Sequence, residues 1–209
     1  RLGSTMMQHT IYAYISDGAV QEEISQGVGR LAGVLGLNNL IMFYDSNDIQ
    51  LSTECNEVMQ EDTAAKARAS NGSDIEINGS DVAQIRKALD TAKQEQERPT
   101  LIIGKTVMGK GALKADGSSY EHNVKTHGAP LGDGAYVNTI KHLGGNPENP
   151  FVIFDDVKKL YADRAEELWV QHVAPHADGN TDSAYLVPVG VNELTSAEAC
   201  DTLAEIADG

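Results

Sequence analysis

Two short runs decide most of what this chain can fold into: residues 39–45 (NLIMFYD) and residues 100–105 (TLIIGK). Each is apolar almost without interruption, as a strand buried on both faces must be, whereas a half-exposed strand alternates. Residues 10–15 (TIYAYI) are β-branched and aromatic and run into the turn formers Ser16, Asp17 and Gly18. Residues 20–35 place Ile24, Val28, Leu31 and Leu35 at helical spacing, which predicts an amphipathic helix ended by Gly36. Residues 61–70 and 81–97 also read as helices, the second with Ile85, Ala88, Leu89 and Ala92 on one face, and residues 74–77 as a short strand. A β-α-β-α-β-α-β rhythm of this kind predicts an α/β domain: a mostly parallel sheet covered by helices on both faces, with right-handed crossovers. Ligands of such sheets collect at the carboxyl ends of strands. The turns Ser16-Asp17-Gly18 and Asp45-Ser46-Asn47 stand at two such ends.

Composition narrows the class of partner. The 209 residues carry Lys+Arg 16 against Asp+Glu 31, a formal net charge of −15. That balance argues against broad contact with nucleic acid or an anionic membrane surface. The two cysteines, Cys55 and Cys200, are too few for a disulfide framework and lack metal-ligand spacing. No apolar run reaches the length of about 18 residues that a membrane span needs. Residues 1–8 show no apolar signal-peptide core and read as leader residues. The expectation is a soluble, cytoplasmic protein that binds neither nucleic acid nor membrane. Residues 107–134 are rich in Gly, Ser, His and Lys with little periodicity, a functional or mobile loop. Residues 135–143 and 154–168 read as helices, and an acidic tail of unknown role follows at 171–209, which places the domain at 9–170.

Asp17 and Asn47 put two oxygen-bearing side chains at neighbouring strand ends. Such a pair can hold a hard cation such as Mg²⁺, which takes oxygen ligands and commonly shares itself between a carboxylate and substrate phosphates. The Gly18 amide and the start of the helix over 20–35 offer N–H groups and a favourable dipole to those phosphates. Turn formers at strand ends supply the same residue types with no ligand at all. On spacing alone both readings stand.

The flanking residues separate them. Tyr14-Ile-Ser-Asp-Gly18, Gln21-Glu22, Leu37-Asn-Asn-Leu-Ile41 and Tyr44-Asp45-Ser46-Asn47-Asp48-Ile49 together resemble transketolase, whose thiamine diphosphate motif is a Gly-Asp-Gly triplet followed later by Asn. Arg98-Pro-Thr-Leu-Ile102, Lys105-Thr-Val-Met-Gly-Lys-Gly111, Thr126-His-Gly-Ala-Pro-Leu131 and the Pro-containing stretch from Asn146 to Phe151 resemble the same family in the same order. The resemblance implies that Asp17, the Asn47 side chain and the Ile49 carbonyl bind the metal, Mg²⁺ with Ca²⁺ or Mn²⁺ as substitutes. It implies that Gly18 turns its amide to the diphosphate of thiamine diphosphate. His127 resembles the histidine near diphosphate and substrate, with hydrogen bonding and proton handling as its roles; a surface loop histidine is the plainer reading. Leu51 and Met108 match apolar contacts of the cofactor, or are ordinary core. Glu22 matches an interface glutamate, or is a solvated helix residue. Lys105 and Lys110 read as loop charge.

The implied activity is transfer of a two-carbon ketol unit from a ketose or hydroxypyruvate to an aldehyde or aldose, in a homodimer or a heteromer with a pyrimidine-binding subunit. Thr126-His-Gly-Ala-Pro-Leu131 and Asn47-Asp-Ile49 favour this over decarboxylating or 1-deoxyxylulose-forming thiamine enzymes. Three departures matter. Ser16 stands where the family has Gly. Ala67-Arg-Ala-Ser-Asn-Gly-Ser-Asp74 stands where Tyr and Trp are expected, which predicts modest stability. The family's long stretch before the cofactor motif, and its pyrimidine domain with the activating glutamate, have no counterpart in these residues. That reads as a fragment, one half of a split enzyme or a reduced protein; the alternative function is a cofactor-binding subunit inactive without a pyrimidine-domain chain.

Overall fold

The computed structural model describes residues 9–51 and 53–168; the leader residues 1–8 and the tail at 171–209 lie outside the described residues. The chain divides into two compact units, Arg1–Glu148 and Asn149–Gly209. In order, the first unit contains β1 (Ile11–Ser16), α1 (Asp17–Val20), α2 (Glu23–Leu35), β2 (Leu40–Ser46), β3 (Ile49–Gln50), β4 (Thr53–Glu54), α3 (Thr63–Ala69), β5 (Ser73–Asn78), α4 (Val82–Gln94), β6 (Thr100–Lys105) and α5 (Asp133–His142). The described part of the second unit holds α6 (Asp155–Leu168), whose first turn carries Asp155 and Asp156, where acidic charge suits the helix dipole.

The main sheet has the order β1-β2-β6-β5, and every neighbouring pair is parallel. Ser16 lies opposite Asp45 and Ser46 opposite Lys105, so β1, β2 and β6 end at one edge. The chain steps outward from β1 to β2 to β5 and then returns to β6. Reversing the step puts the connecting helices on opposite faces when crossovers keep one hand. Accordingly α1 and α3 pack on one face, where Ile15, Val20, Tyr44, Ala64 and Ile103 form a core cluster with Met42 and Leu101. On the other face α4 sets Ala88 and Ala92 against Ile41 and Ile102, joined by Phe43, Ile75 and Ile77. The NLIMFYD run divides between the faces residue by residue, as strand alternation requires. Ile41 and Ile102, 1% and 0% exposed, each contribute roughly 1.5–3 kcal/mol by burial.

The helix predicted over 20–35 is present as α2 but starts at Glu23; Val20 is instead the last residue of a separate turn, α1. α1 ends at Val20, because the Ser25 hydroxyl and the Gln26 amide turn back to donate to the Ala19 and Val20 carbonyl oxygens. These side chains satisfy the carbonyls that a continuous helix would use. Gly36 closes α2 in the left-handed conformation (φ 59°, ψ 47°), as its sequence position predicts.

The apolar stripe is also not where an amphipathic helix would bury it. Ile24, Val28, Leu31 and Leu35 are exposed, and Ala32 and Gly33 are buried instead. Backbone proximity explains the choice. A Cβ on Gly33 would lie 1.8 Å from the Ser70 carbonyl oxygen, and the Asn71 side chain donates to the Gly33 carbonyl at 3.1 Å. Only the small face of α2 fits that close.

Residues 107–132 hold short elements that the weak periodicity concealed. Tyr120 N–H donates to the Ala112 carbonyl at 2.8 Å and Leu113 bridges Ser119, forming a small hairpin. Asn138 of α5 donates to the Lys114 and Ala115 carbonyls, and Thr139 exchanges hydrogen bonds with Leu113.

Two glycines in α2 make opposite predictions. Gly33→Ala should lower stability by about 1–3 kcal/mol through overpacking against Ser70. A Cβ on Gly27 meets nothing within 4 Å, so Gly27→Ala should raise stability by about 0.5–1 kcal/mol through helix propensity. Urea unfolding of both variants checks this; matching midpoints would refute the close approach.

Candidate functional site

The carboxyl edge is organised around Asp17, which opens α1 directly after β1 and is 1% exposed. A carboxylate taken out of water needs replacement donors, or the cost runs to several kcal/mol. Three are in place. The Tyr44 hydroxyl donates to Oδ1 at 2.6 Å, and the amides of Asn47 and Asp48 donate to Oδ2 at 2.9 and 3.1 Å. Tyr44 belongs to β2 and the amides to the turn after it, so one side chain ties the ends of two strands together.

That turn has its own internal support. The Asn47 side-chain oxygen accepts the Ile49 N–H at 3.1 Å, an Asx turn. Asp48 adopts φ 67°, a left-handed conformation that Asp tolerates better than most residues. Lys105, at the end of β6, donates to Asp48 at 2.6 Å and to the Ser46 hydroxyl at 3.0 Å. It is therefore a strand-end residue fixed to the site and not the loop charge the sequence suggested. Both members of that ion pair are largely exposed, so its contribution to stability is small. On the other side Gln21 donates to the Asp17 carbonyl at 3.0 Å and to Gln50 at 2.7 Å.

Asp17, Gly18, Asn47 and Ile49 thus come together. Gly18 follows Asp17 in α1, and a Cβ there would make only an ordinary contact, 3.9 Å from Gln50. Ser16 gives α1 no side-chain cap. The helix whose dipole is expected at the site, α2, begins at Glu23, and Gly18 lies in the single turn α1 that precedes it. Leu51 is 75% exposed and is not core. Met108 is half-buried after β6, and its carbonyl accepts the His122 N–H at 3.0 Å. His127 follows the short turn Val124–Thr126; its Nδ1 is buried and has no hydrogen-bond partner among the described residues. A Cβ on Gly109 would lie 2.9 Å from the Thr126 hydroxyl, so the segments carrying Met108 and His127 are neighbours. Among the described residues no hydrogen bond links Leu51, Met108 or His127 to Asp17. Glu22 is exposed, at the start of α2.

Sequence reading missed Tyr44 and Cys55. Tyr44 carried a signal: a tyrosine inside a strand buried on both faces needs a partner for its hydroxyl. Cys55, 5% exposed, packs beside Asp17 through the β3–β4 ribbon, a contact that no pattern announces. Burial, with the Asp17 carboxylate alongside, pushes its thiol up to about 12. Burial and the hydrogen bond to Asp17 hold the Tyr44 hydroxyl well above the ordinary tyrosine range. Tyr14 stacks on Phe43 with ring centroids 5.9 Å apart and donates to Asp45 at 2.6 Å; partial burial and that hydrogen bond push it up to about 12. Thr106 bonds the other oxygen of Asp45.

A parallel sheet with a buried carboxylate and backbone amides gathered at its carboxyl edge is the architecture of an α/β ligand-binding domain. The family model described as transketolase, thiamine diphosphate binding domain, matches residues 1–183, and the chain belongs to that family. It is 35% identical over 160 residues to the transketolase of Staphylococcus aureus strain MRSA252, covering 76% of this chain and 23% of that protein. It is 34% identical over 162 residues to transketolase 2 of Xanthobacter flavus, covering 77% and 23%. The solved transketolase from Leishmania mexicana superposes with a TM-score of 0.74 at 30% identity, over 82% of this chain and 25% of that one. The chain therefore spans about a quarter of the length of these relatives. No helix among the described residues is long and apolar enough to cross a membrane.

The raised hydroxyls set a pH dependence. Their neutral forms are favoured by folding, so the stability they contribute is complete below the unfolded value near 10. It is lost as pH rises through the folded values, about 12 for Tyr14 and higher for Tyr44. Urea midpoints should hold steady to about pH 9 and then fall, and Tyr14→Phe or Tyr44→Phe should flatten the fall. A slope above pH 10 unchanged in both variants would contradict the assignment. Cys55 should likewise resist iodoacetamide at pH 8 in the folded chain, read by peptide mapping; rapid labelling would contradict the raised thiol.

Proposed function

We propose that Asp17, the Asn47 side-chain oxygen and the Ile49 carbonyl hold a divalent cation, Mg²⁺ or in its place Ca²⁺ or Mn²⁺. In the same reading the Gly18 amide receives the diphosphate of thiamine diphosphate. The whole protein then transfers a two-carbon ketol unit from a ketose or hydroxypyruvate to an aldehyde or aldose. The observation that carries this reading is the buried Asp17 carboxylate, clamped by Tyr44 and two amides at the sheet edge of a chain whose family binds thiamine diphosphate.

The donor set fits such a cation. It is oxygen only, and it brings a single formal charge. Mg²⁺ keeps waters and phosphate oxygens in its shell and needs no full protein cage. Among the described residues no group of three or more His, Cys, Asp and Glu forms one. Bound thiamine supplies a nucleophilic carbon that takes up and hands on a carbonyl fragment. This chain's residues do the holding. Tyr44 and the amides of Asn47 and Asp48 keep the Asp17 carboxylate in one orientation, and the Ile49 amide does the same for Asn47. The exposed Leu51 and the half-buried Met108 suit an apolar surface laid against the cofactor. The unpartnered Nδ1 of His127 supports a hydrogen bond or proton transfer at the diphosphate and substrate end.

Exposed apolar residues on β1 and α2, among them Tyr12, Tyr14, Ile24, Leu31 and Val34, support assembly as a homodimer or with a pyrimidine-binding subunit. A second reading stands beside the first: a cofactor-binding subunit inert without a separate pyrimidine-domain chain. Holding only one end of the cofactor forfeits positioning worth roughly 7–11 kcal/mol.

Calorimetric titration with thiamine diphosphate tests the site. Binding should require Mg²⁺, and Asp17→Ala and Asn47→Ala should each weaken it roughly tenfold or more; wild-type affinity in both would sink the assignment. With hydroxypyruvate and an aldehyde acceptor, the 209-residue chain alone should turn over slowly or not at all and be rescued by an added pyrimidine domain. In the rescued system His127→Ala should lower kcat/KM roughly 10-fold or more while changing cofactor affinity less. Unchanged kinetics would leave His127 a loop residue.

A further inference from the structure

Away from the carboxyl edge, the sheet face that carries α1 and α3 also carries a cavity of about 120 Å³. Its floor is the sheet itself, at Ile15, Met42 and Leu101. Its two walls are helix stripes at i, i+3/i+4, i+7 spacing: Ser25, Gly29 and Ala32 on α2, and Thr63, Ala67 and Ser70 along α3 and its end. The void exists because the wall positions nearest its middle, Gly29, Ala32 and Ala67, carry almost no side chain. Of the large apolar residues of α2, Val28 stands at the open side of the pocket, and Leu31 and Leu35 are exposed and do not line it.

The neighbouring contacts keep the void from closing. At one end Gly33 already lies backbone-to-backbone against Ser70, where even a Cβ would approach within 1.8 Å of the carbonyl oxygen. Asn71 locks that contact by donating to the Gly33 carbonyl. At the other end Ile15, Val20 and Ala64 are packed in the core. The helix can move inward at neither end, and its middle has nothing with which to fill the gap. Three of the polar groups around the rim are committed elsewhere: Ser25 to the Ala19 carbonyl, Gln26 to the Val20 carbonyl, and Lys66 to Glu61 at 2.7 Å. The walls therefore offer mainly apolar contact surface and no free charge; the polar groups left over are hydroxyls, among them Thr63 and Ser70 on α3 and its end. Enclosed apolar cavities of roughly 150 Å³ take up benzene or xenon; this pocket is of similar size but open on one side, where Val28 and Gly29 are exposed.

We propose that this cavity is a binding site for one small, uncharged, apolar molecule about the size of a single six-membered ring. The site is separate from the Asp17 edge and does not depend on the cofactor reading. Benzene is the probe, titrated into the isotope-labelled 209-residue chain with amide and methyl shifts followed by NMR. Saturable one-to-one shifts are expected at Ala32, Met42, Ala67 and Leu101, together with a higher thermal midpoint. Ala67→Leu, which fills the void, should raise the midpoint without ligand and weaken benzene binding at least tenfold. Ala67→Val, a smaller change, should do the same in part and serves if the leucine variant fails to fold; ¹²⁹Xe shifts of the wild-type chain give an independent reading. Shifts confined to the exposed face of α2, at Ile24, Leu31 and Val34, or no saturable shift, or full binding by both filled variants, would overturn the proposal.

Discussion

A carboxylate with almost no solvent contact must be met by donors from somewhere, and for Asp17 all three hydrogen bonds come from across a strand boundary. Tyr44, Asn47 and Asp48 reach it from β2 and the turn beyond. Because the demand is for several donors at once, it fixes more than a distance. It sets where β2 stops, how the turn after it bends, and where α1 begins relative to both. Lys105 extends the linkage to β6 by pairing with the residue whose amide serves Asp17. The edge is thus a chain of dependencies with one buried charge at its head.

The rest of the first unit can be understood as support for that edge. The reversal between β5 and β6 places helices on both faces, so both sides of β2 and β6 carry core clusters. Tyr44 and Asp17, 3% and 1% exposed, meet with almost no water competing for either group. The same packing leaves α2 as the loosest partner, joined by small residues and side-chain amides. That asymmetry explains how a well-packed sheet and a void lie within one layer.

Much of this was legible in the sequence, for reasons that differ by residue. NLIMFYD and TLIIGK announced buried parallel strands because burial on both faces removes the polar alternation that other strands show. The strand-end turns at Asp17 and Asn47 were visible because parallel strands put their ligand-facing residues in turns. The break between α1 and α2 was hidden: Ser25 and Gln26 look like ordinary helix residues until their side chains find the Ala19 and Val20 carbonyls. The orientation of α2 was hidden for a related cause. Periodicity says which residues share a face, but Gly33 meeting Ser70 decides which face turns inward. Lys105 and Cys55 joined the site through pairings between segments far apart in the chain.

The strand order has a consequence in time. β6 lies between β2 and β5, yet it is the last of the four strands to be made. While a ribosome is still adding the residues before Thr100, the most apolar strand of the sheet has β1 on one side and an open backbone edge on the other. β5 emerges before its neighbour, since among the described residues its one sheet partner, β6, has not yet been synthesised. Nascent chains grow at about 5–20 residues per second, so that edge stays open for seconds. Its protection in that interval falls to whatever shields unfinished chains, and the sheet closes in one late step when TLIIGK arrives.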